Sequence, residues 1–418
     1  MTSPLSAGRS LDEWLAYLES IHPTEIELGL ERVGSVADAL SLRSLAPSKV
    51  ILVAGTNGKG STCCFIENCL LQAGYRVGVY SSPHICDYRE RVRVNGQMQD
   101  AEAFCEAFCA VEEARGETSL SYFEFGTLAA LLMLKRAQLD VAIVEVGLGG
   151  RLDATNVISP DVSVVTSVDY DHETFLGSDI NIIGQEKAGV FRTGKPAILG
   201  SVDLPPTVLQ HALDIDAQAW QLGRDFALHK AEDGLWAYRG RNQQWHSLPV
   251  PALPLTNLGT ALATLDALQI DVAEDAIAKG VAAANLPGRW QVVQNAPLVV
   301  LDVAHNPQAT RLLAEQIRTN KSQRVIGVVA MLSDKDSVNS LNPLKQIIDC
   351  WYVANLDVPR GAQASMLAES LSEQSPNICL NVETALRHAL ETAAEDDMVV
   401  VFGSFYTVAA ALESLQRS

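Results

Sequence analysis

Eight residues, GTNGKGST from Gly55 to Thr62, follow directly on the apolar run VILVA. Gly55, Gly58 and Gly60 let several backbone N–H groups turn toward one anion, and a helix starting there adds a partial positive charge. Lys59 supplies a full charge, and Ser61 or Thr62 a hydroxyl. The chemistry these types suit is binding of ATP phosphates; an ordinary tight turn with an exposed lysine is the plain alternative. The spacing is unusual. A Walker loop has a glycine five residues ahead of its Gly-Lys pair, where this chain has Val53; its nearest upstream glycine, Gly55, comes three residues before Gly58-Lys59.

Polar residues at the ends of other apolar runs are the next candidates. Glu145 and Ser82 end expected strands, and the pair Asp171-His172 follows another after a short turn, at the edge where parallel sheets place their sites. Mg²⁺ takes oxygen ligands such as Glu145 and the Ser82 hydroxyl, together with water and phosphate; His172 is a less usual ligand for it. A salt bridge for Glu145 and a capping role for Asp171-His172 are the alternatives. Further along, Arg289 follows a Pro-Gly turn, where a guanidinium can grip phosphate. Asp302 ends a strand, suited to a ribose hydroxyl or to orienting that arginine. Asn257 opens a helix and can reach an adenine edge, although capping would explain Asn257 and Asp302 equally. His305 and Ser404 also sit at strand ends. His22, His84, His211, His229, His246 and His388 read as structural or exposed, with His84 the least settled because it neighbours Ser82.

These residues need a scaffold. KVILVAG (49–55), RVGVYSS (76–82), DVAIVEVG (140–147), DVSVVTSV (161–168) and KPAILGS (195–201) read as strands. Helical patterns alternate with them at 61–74, 125–138 and 180–191, which is the rhythm of a mostly parallel sheet covered by helices. From Gln218 to Pro254, aromatic and turn residues suggest a small antiparallel piece, after which LTNLGTALATLDAL (255–268) returns to helix. The β-α rhythm restarts at PLVVLDV (297–303) and continues to a final helix. The expected fold class is α/β: a P-loop ATPase-type, mostly parallel sheet domain over 1–286, a linker at 287–296, and a smaller Rossmann-like α/β domain over 297–418. At roughly 150 residues per domain, the length of 418 allows two or three.

Composition narrows the partners. A net charge of −19 argues against nucleic acid and anionic membranes, and requires that any anion site be made locally positive. The eight cysteines form no CxxC pair and no disulfide framework, which points to reduced thiols and a cytoplasmic protein. No apolar signal core opens the sequence, and no apolar run reaches the ~18 residues of a membrane span. With no coiled-coil seam, a monomer is expected.

Taken in order, the motifs resemble one family. GTNGKGS is similar to the ATP loop of the Mur ligase superfamily, ATP-dependent amide-bond ligases. SSPHICDYRERVRVNG (81–96), YFEFGTLAAL (122–131), EVGLGGRLDATN (145–156), DHETFLG (171–177), IGQEKAGVF (183–191), LPGRW (286–290), LDVAHNP (301–307) and GSFYTVAA (403–410) extend the likeness over almost the whole chain. Together they resemble the folylpolyglutamate synthases and, more closely, the bacterial bifunctional dihydrofolate synthase/folylpolyglutamate synthases. The resemblance implies ATP binding by Thr56, Asn57, Gly58, Lys59, Gly60, Ser61, Asn257, Arg289 and Asp302. It implies Mg²⁺, two ions in all, at Ser82, Glu145, His172 and a carbamylated Lys187, with Lys59, His172, Lys187 and His305 serving catalysis. For a pterin it implies Leu28, Gly29 and Leu30 in IELGLERV (26–33), Ser121 to Glu124 (Ser121, Tyr122, Phe123, Glu124), and Leu152, Asp153 and Ala154. Of these, Phe123 offers the apolar wall and Asp153 the hydrogen-bonding acid that a flat heterocycle needs. For L-glutamate it implies His305 and Ser404.

The activity implied is ATP-dependent addition of L-glutamate to dihydropteroate and to tetrahydrofolate and its polyglutamates. The alternatives are a folylpolyglutamate synthase alone, a Mur-type ligase acting on a cell-wall nucleotide precursor, a nucleotide-switched binding protein, or an inactive folate binder. The last is expected to have lost Lys59, Glu145 or His172, and all three are present.

Overall fold

A computed structural model describes residues 8–22, 27–320 and 322–417. Of the stretches read above, Ile26 and the first seven residues lie outside the described residues. The chain divides into two compact units: one runs to Val168 and resumes over Leu176–Ala284, and the other joins Asp169–Phe175 to the chain from Asn285 onward.

The first unit is built on an eight-stranded sheet in the order β4-β3-β2-β5-β1-β6-β7-β8. Its strands are β1 (Lys49–Ala54), β2 (Val77–Tyr80), β3 (Val92–Val94), β4 (Gln97–Met98), β5 (Val141–Glu145), β6 (Val162–Val165), β7 (Pro196–Leu199) and β8 (Gln218–Gln221). From β2 to β8 all neighbours run parallel, while β3 and β4 return antiparallel at one edge. The central strands are unbroken apolar runs because helices cover both faces, leaving no wet side for alternation. The order also explains where the site falls. The chain leaves β1, crosses over β5 to β2, returns to β5, and then moves to β6 on the other side. The crevice beyond the carboxyl ends of β1 and its neighbours lies at this reversal.

Sequence expectations differed from the structure at two places. The antiparallel piece is narrower than 218–254. Residues 218–221 form β8, which pairs parallel with β7, and only β9 (Ala227–Lys230), β10 (Trp236–Arg239) and β11 (Gln244–Leu248) make the antiparallel ribbon. Second, residues 291–295, read as linker, form β12 (Gln291–Asn295), antiparallel to β13 (Leu298–Asp302). Its side chains are half-exposed, so the apolar signal of a strand is missing there.

The second unit is a six-stranded sheet in the order β12-β13-β17-β14-β15-β16, where β14 is Val325–Val329, β15 Cys350–Ala354, β16 Asn377–Cys379 and β17 Met398–Phe402. All pairs but β12–β13 are parallel. Because β17 inserts between β13 and β14, Asp302 pairs in register with Phe402, and the ends of β13 and β17 lie side by side.

Candidate active site

The loop at 55–62 is held by its own unit. Thr56 N–H donates to the Ser167 carbonyl (2.8 Å) and Asn57 N–H to Ser167 Oγ (3.0 Å). Thr166 Oγ1 and Ser167 Oγ donate to the Asn57 carbonyl at 2.7 and 3.0 Å. Lys59 begins the helix Lys59–Gln72, and its ammonium folds back across the loop to the carbonyls of Gly55 (3.1 Å) and Thr56 (3.2 Å). The loop therefore carries a cation at a helix N-terminus, an arrangement suited to phosphate.

Two glycines are obligatory. Gly55 has φ +147°, and a Cβ there would lie 1.9 Å from Thr166 Oγ1; Gly58 has φ +87°, and its Cβ would lie 2.4 Å from Asn257 Oδ1. Asn257, on the helix Leu255–Leu268, thus sits directly against the loop. Thr166 and Ser167 were not foreseen as site residues. Their sequence signal is only a polar end to an apolar strand.

Ser82 and Glu145 come together at the ends of β2 and β5: Ser82 N–H donates to Glu145 Oε2 at 3.3 Å, and the Glu145 side of the sheet is tied to β1 by Val146 N–H to the Val53 carbonyl (2.9 Å). Glu145 is buried. Among the described residues no cluster of three or more His, Cys, Asp or Glu side chains could hold a metal alone. The donor set here, one carboxylate and one hydroxyl beside a phosphate loop, fits an ion that completes its shell with phosphate oxygens and water, as Mg²⁺ does. Lys187 is buried at the end of the helix Ile180–Ala188. The turn after β5 packs onto that end: a Cβ on Gly150 would meet the carbonyls of Glu186 and Lys187 at 2.7 and 2.8 Å, and Arg151 N–H donates to the Glu186 carbonyl.

The three stretches for which the resemblance implied a pterin also converge within this unit. Gly29 N–H donates to the Leu152 carbonyl at 3.2 Å, with Leu28 and Leu30 packed against the core beside it. Phe123 covers Gly147, where a Cβ would lie 2.3 Å from its ring, and stacks on Tyr80 at 6.5 Å. It is half-buried, neither sealed in the core nor free of it. Ser121 and Glu124 form a reciprocal capping box at the start of the helix Tyr122–Arg136, and Glu124 also pairs with Arg32 at 3.0 Å. Asp153 holds the turn together, accepting from Leu148 N–H (2.8 Å), Thr155 N–H (2.9 Å) and the Thr155 hydroxyl (2.5 Å). Burial pushes its carboxyl above the usual range, against those hydrogen bonds. Ala154 begins the single 3₁₀ turn that Asp153 caps.

In the second unit, Asp302 accepts from Trp290 and Ala304 N–H, both at 2.8 Å, and burial raises its pKa while Arg289 opposes that shift. Arg289 lies over the Phe405 ring at 5.1 Å. Ser404 Oγ accepts from Thr407 N–H (3.0 Å) and contacts Thr407 Oγ1 (2.7 Å), which in turn donates to the Ala330 carbonyl (2.6 Å). His305 Nδ1 contacts the Val303 carbonyl at 2.7 Å, and its Nε2 lies 3.4 Å from Asp171 Oδ2. Asp171 is the hub here. Lys335 reaches its Oδ1 at 2.5 Å and Asn306 its Oδ2 at 3.3 Å, while Asp169 pairs with Arg311 at 3.0 Å. His305 and the neighbouring cations outweigh burial and hold the Asp171 carboxyl far below its usual pKa. His172, next in sequence, takes φ +53°, and its N–H donates to Asp171 Oδ1. Lys335 was missed because a lone lysine in LSDKDS reads as a surface charge.

A P-loop at a sheet reversal and a second, Rossmann-type sheet with polar strand ends define the class of Mur ligases, and the family models agree. The Mur ligase middle domain matches residues 53–201, and the Mur ligase glutamate ligase domain matches 288–405. The dihydrofolate synthase/folylpolyglutamate synthase of Escherichia coli K12 is 47% identical over 408 residues, covering 97% of this chain and 96% of that protein. The structure of E. coli FolC in complex with DHPP and ADP has a TM-score of 0.96 at 46% identity, with both chains fully covered. A bifunctional folylpolyglutamate synthase/dihydrofolate synthase with Mn, AMPPNP and L-glutamate bound has a TM-score of 0.94 at 47% identity, again over both whole chains. The chain belongs to the dihydrofolate synthase/folylpolyglutamate synthase family of the Mur ligase superfamily.

Proposed function

We propose that the protein is an ATP-dependent acid–amino-acid ligase that adds L-glutamate to dihydropteroate, forming dihydrofolate, and to tetrahydrofolate, extending its polyglutamate tail. The observation that supports this reading is that residues 28–30, 121–124 and 152–154 meet around the turn after Glu145, through Gly29 to Leu152, Leu148 to Asp153 and Phe123 over Gly147. Relatives alike over the whole chain, one with DHPP and ADP and another with AMPPNP and L-glutamate, support it. A carboxylate is a poor electrophile. Transfer of the γ-phosphoryl from ATP to the carboxylate makes an acyl phosphate and ADP; the glutamate amine attacks its carbonyl, and the tetrahedral adduct loses a proton from nitrogen and expels phosphate to leave the amide.

Thr56 to Ser61 bind the phosphates, and Lys59 offsets charge on the transferring group, where positioning and electrostatics dominate. Ser82, Glu145, His172 and a carbamylated Lys187 would hold Mg²⁺, which when bound supplies charge neutralisation on the phosphoryl oxygens. Arg289 and Asp302 serve the nucleotide, and Asn257, against Gly58, reaches it from the loop side. Leu28, Gly29, Leu30, Ser121 to Glu124 and Leu152 to Ala154 shape the pterin pocket, with Phe123 as its wall. His305 and Ser404 receive glutamate. The phosphate-loop and pterin residues, with Ser82, Glu145, Lys187 and Asn257, belong to the first unit, and His172, Arg289, Asp302, His305 and Ser404 to the second. The eight free cysteines suit a cytoplasmic protein.

The test is ADP release with ATP, Mg²⁺ and L-glutamate, with dihydropteroate in one reaction and tetrahydrofolate in another, each product checked by mass. Glutamate addition in both is expected. Addition to tetrahydrofolate alone would remove the dihydrofolate synthase half, and ATP hydrolysis with no mass gain would overturn the ligase.

A further inference from the structure

The segment between Ser82 and β3 holds a buried cation that enters no ion pair among the described residues. Arg91 ends the 3₁₀ turn Tyr88–Arg91 and is only 8% exposed. Its Nε donates to His84 Nδ1 at 2.9 Å, an imidazole rather than a carboxylate, and among the described residues no ion pair involves it. Its guanidinium lies over Tyr88 at 4.9 Å and Tyr122 at 5.7 Å. Other arginines of this unit are accommodated differently: Arg93 is paired with Glu67 and Arg115 with Glu112, both at 2.7 Å, and Arg192 donates to carbonyls and Asn156. A buried charge normally requires a partner, because desolvation of an ion costs several kcal/mol that only an opposite charge offsets well.

The position says what that partner is. Arg91's own carbonyl accepts from Ser81 N–H at 2.9 Å, beside Ser82 and hence Glu145. Tyr122, one of its aromatic neighbours, adjoins Phe123, the ring that covers Gly147 and stacks on Tyr80. A fixed guanidinium fork flanked by aromatic faces matches a carboxylate carried on a flat aryl group.

Resting on the substrate reading above, we propose that Arg91 is a substrate-binding residue that receives the carboxylate of the pteroate-type substrate, with His84 positioning the guanidinium through Nε. Dihydropteroate offers that carboxylate on its aryl ring, and tetrahydrofolate offers one on its glutamyl tail.

The experiment measures binding to the full chain by calorimetry, comparing dihydropteroate with its uncharged carboxamide, and tetrahydrofolate with its α-carboxamide. ATP affinity serves as the fold control. The wild-type protein is expected to favour a carboxylate at least about tenfold. Arg91→Met should abolish that preference in one or both pairs while binding ATP normally. Arg91→Lys, a point charge without the fork, should reduce it several-fold, and this variant reads the result should Arg91→Met fail to fold. A folded variant that keeps the full preference in both pairs overturns the assignment, as does a wild-type protein indifferent to the charge. Wild-type protein that binds neither dihydropteroate nor tetrahydrofolate overturns the substrate reading itself.

Discussion

Gly58 is the residue on which the phosphate loop turns. Its φ of +87° lies in the left-handed region, and the Asn257 carboxamide occupies the space a side chain would need. Gly58→Ala therefore meets backbone strain and a steric clash together, and is expected to lower stability by about 1–3 kcal/mol and ATP affinity at least tenfold, read by thermal melts and nucleotide titration. His84 makes a pH prediction. Burial first, and then the Arg91 charge, lower its pKa from 6.5 to about 4. Between those values the unfolded chain binds a proton that the folded one refuses, so stability is whole above pH 6.5 and declines as pH falls toward 4. Unfolding free energies from urea titrations of wild type and His84→Gln, which keeps an acceptor for Arg91, should diverge between pH 7 and 5 by on the order of 1 kcal/mol. Parallel curves would remove the histidine from this role.

At the scale of elements, the loop helix Lys59–Gln72 is clamped from behind. The helix Glu274–Ala283 crosses it at Gly280, where a Cβ would lie 2.5 Å from Cys69 Cα and 2.6 Å from its amide nitrogen. Backbone meets backbone, so no side chain can swing aside. Gly280→Ala is expected to cost about 1–3 kcal/mol and to displace the Lys59 helix, raising the KM for ATP although residue 280 touches no substrate. Chemical denaturation and ATP kinetics on the same preparation would check both parts; a change in stability without a change in KM would show that the helix holds its place.

For the whole molecule, the notable feature is the chain path: seven residues, Asp169–Phe175, leave the P-loop unit and join the second unit, fastened there by Asp169–Arg311 and by Asp171 with Lys335, Asn306 and His305. The Asp171 and Lys335 side chains are each 8% exposed, so removing one leaves the other buried and unpaired. Asp171→Asn is predicted to lower the stability of that unit by about 3–5 kcal/mol, and Asp171→Asn with Lys335→Met to recover part of the loss. Differential scanning calorimetry reads this directly. Equal melting of the single and double variants would show that the pair is not coupled.

How much was legible follows from the range of the forces involved. The glycine-lysine loop, the alternation of apolar runs with helices and the ordered motifs are local, so the α/β class, Gly58, Lys59 and Glu145 could be read directly. Residues 291–295 and 218–221 were misread because an edge strand carries little apolar signal, and which strand pairs with which is a long-range choice. Thr166, Ser167, Lys335 and Arg91 were missed for the same reason: the first three are defined by partners 109, 110 and 164 positions away and Arg91 by burial, and neither is written in spacing. The sequence by itself determined the residue types able to bind phosphate and metal, and the elements that carry them. Only the tertiary structure decided that Asn257 leans on Gly58, that Asp171 and Lys335 share a buried bond, and that Arg91 sits among aromatic rings without a carboxylate, because those arrangements arise when distant segments are forced together by burial of the core.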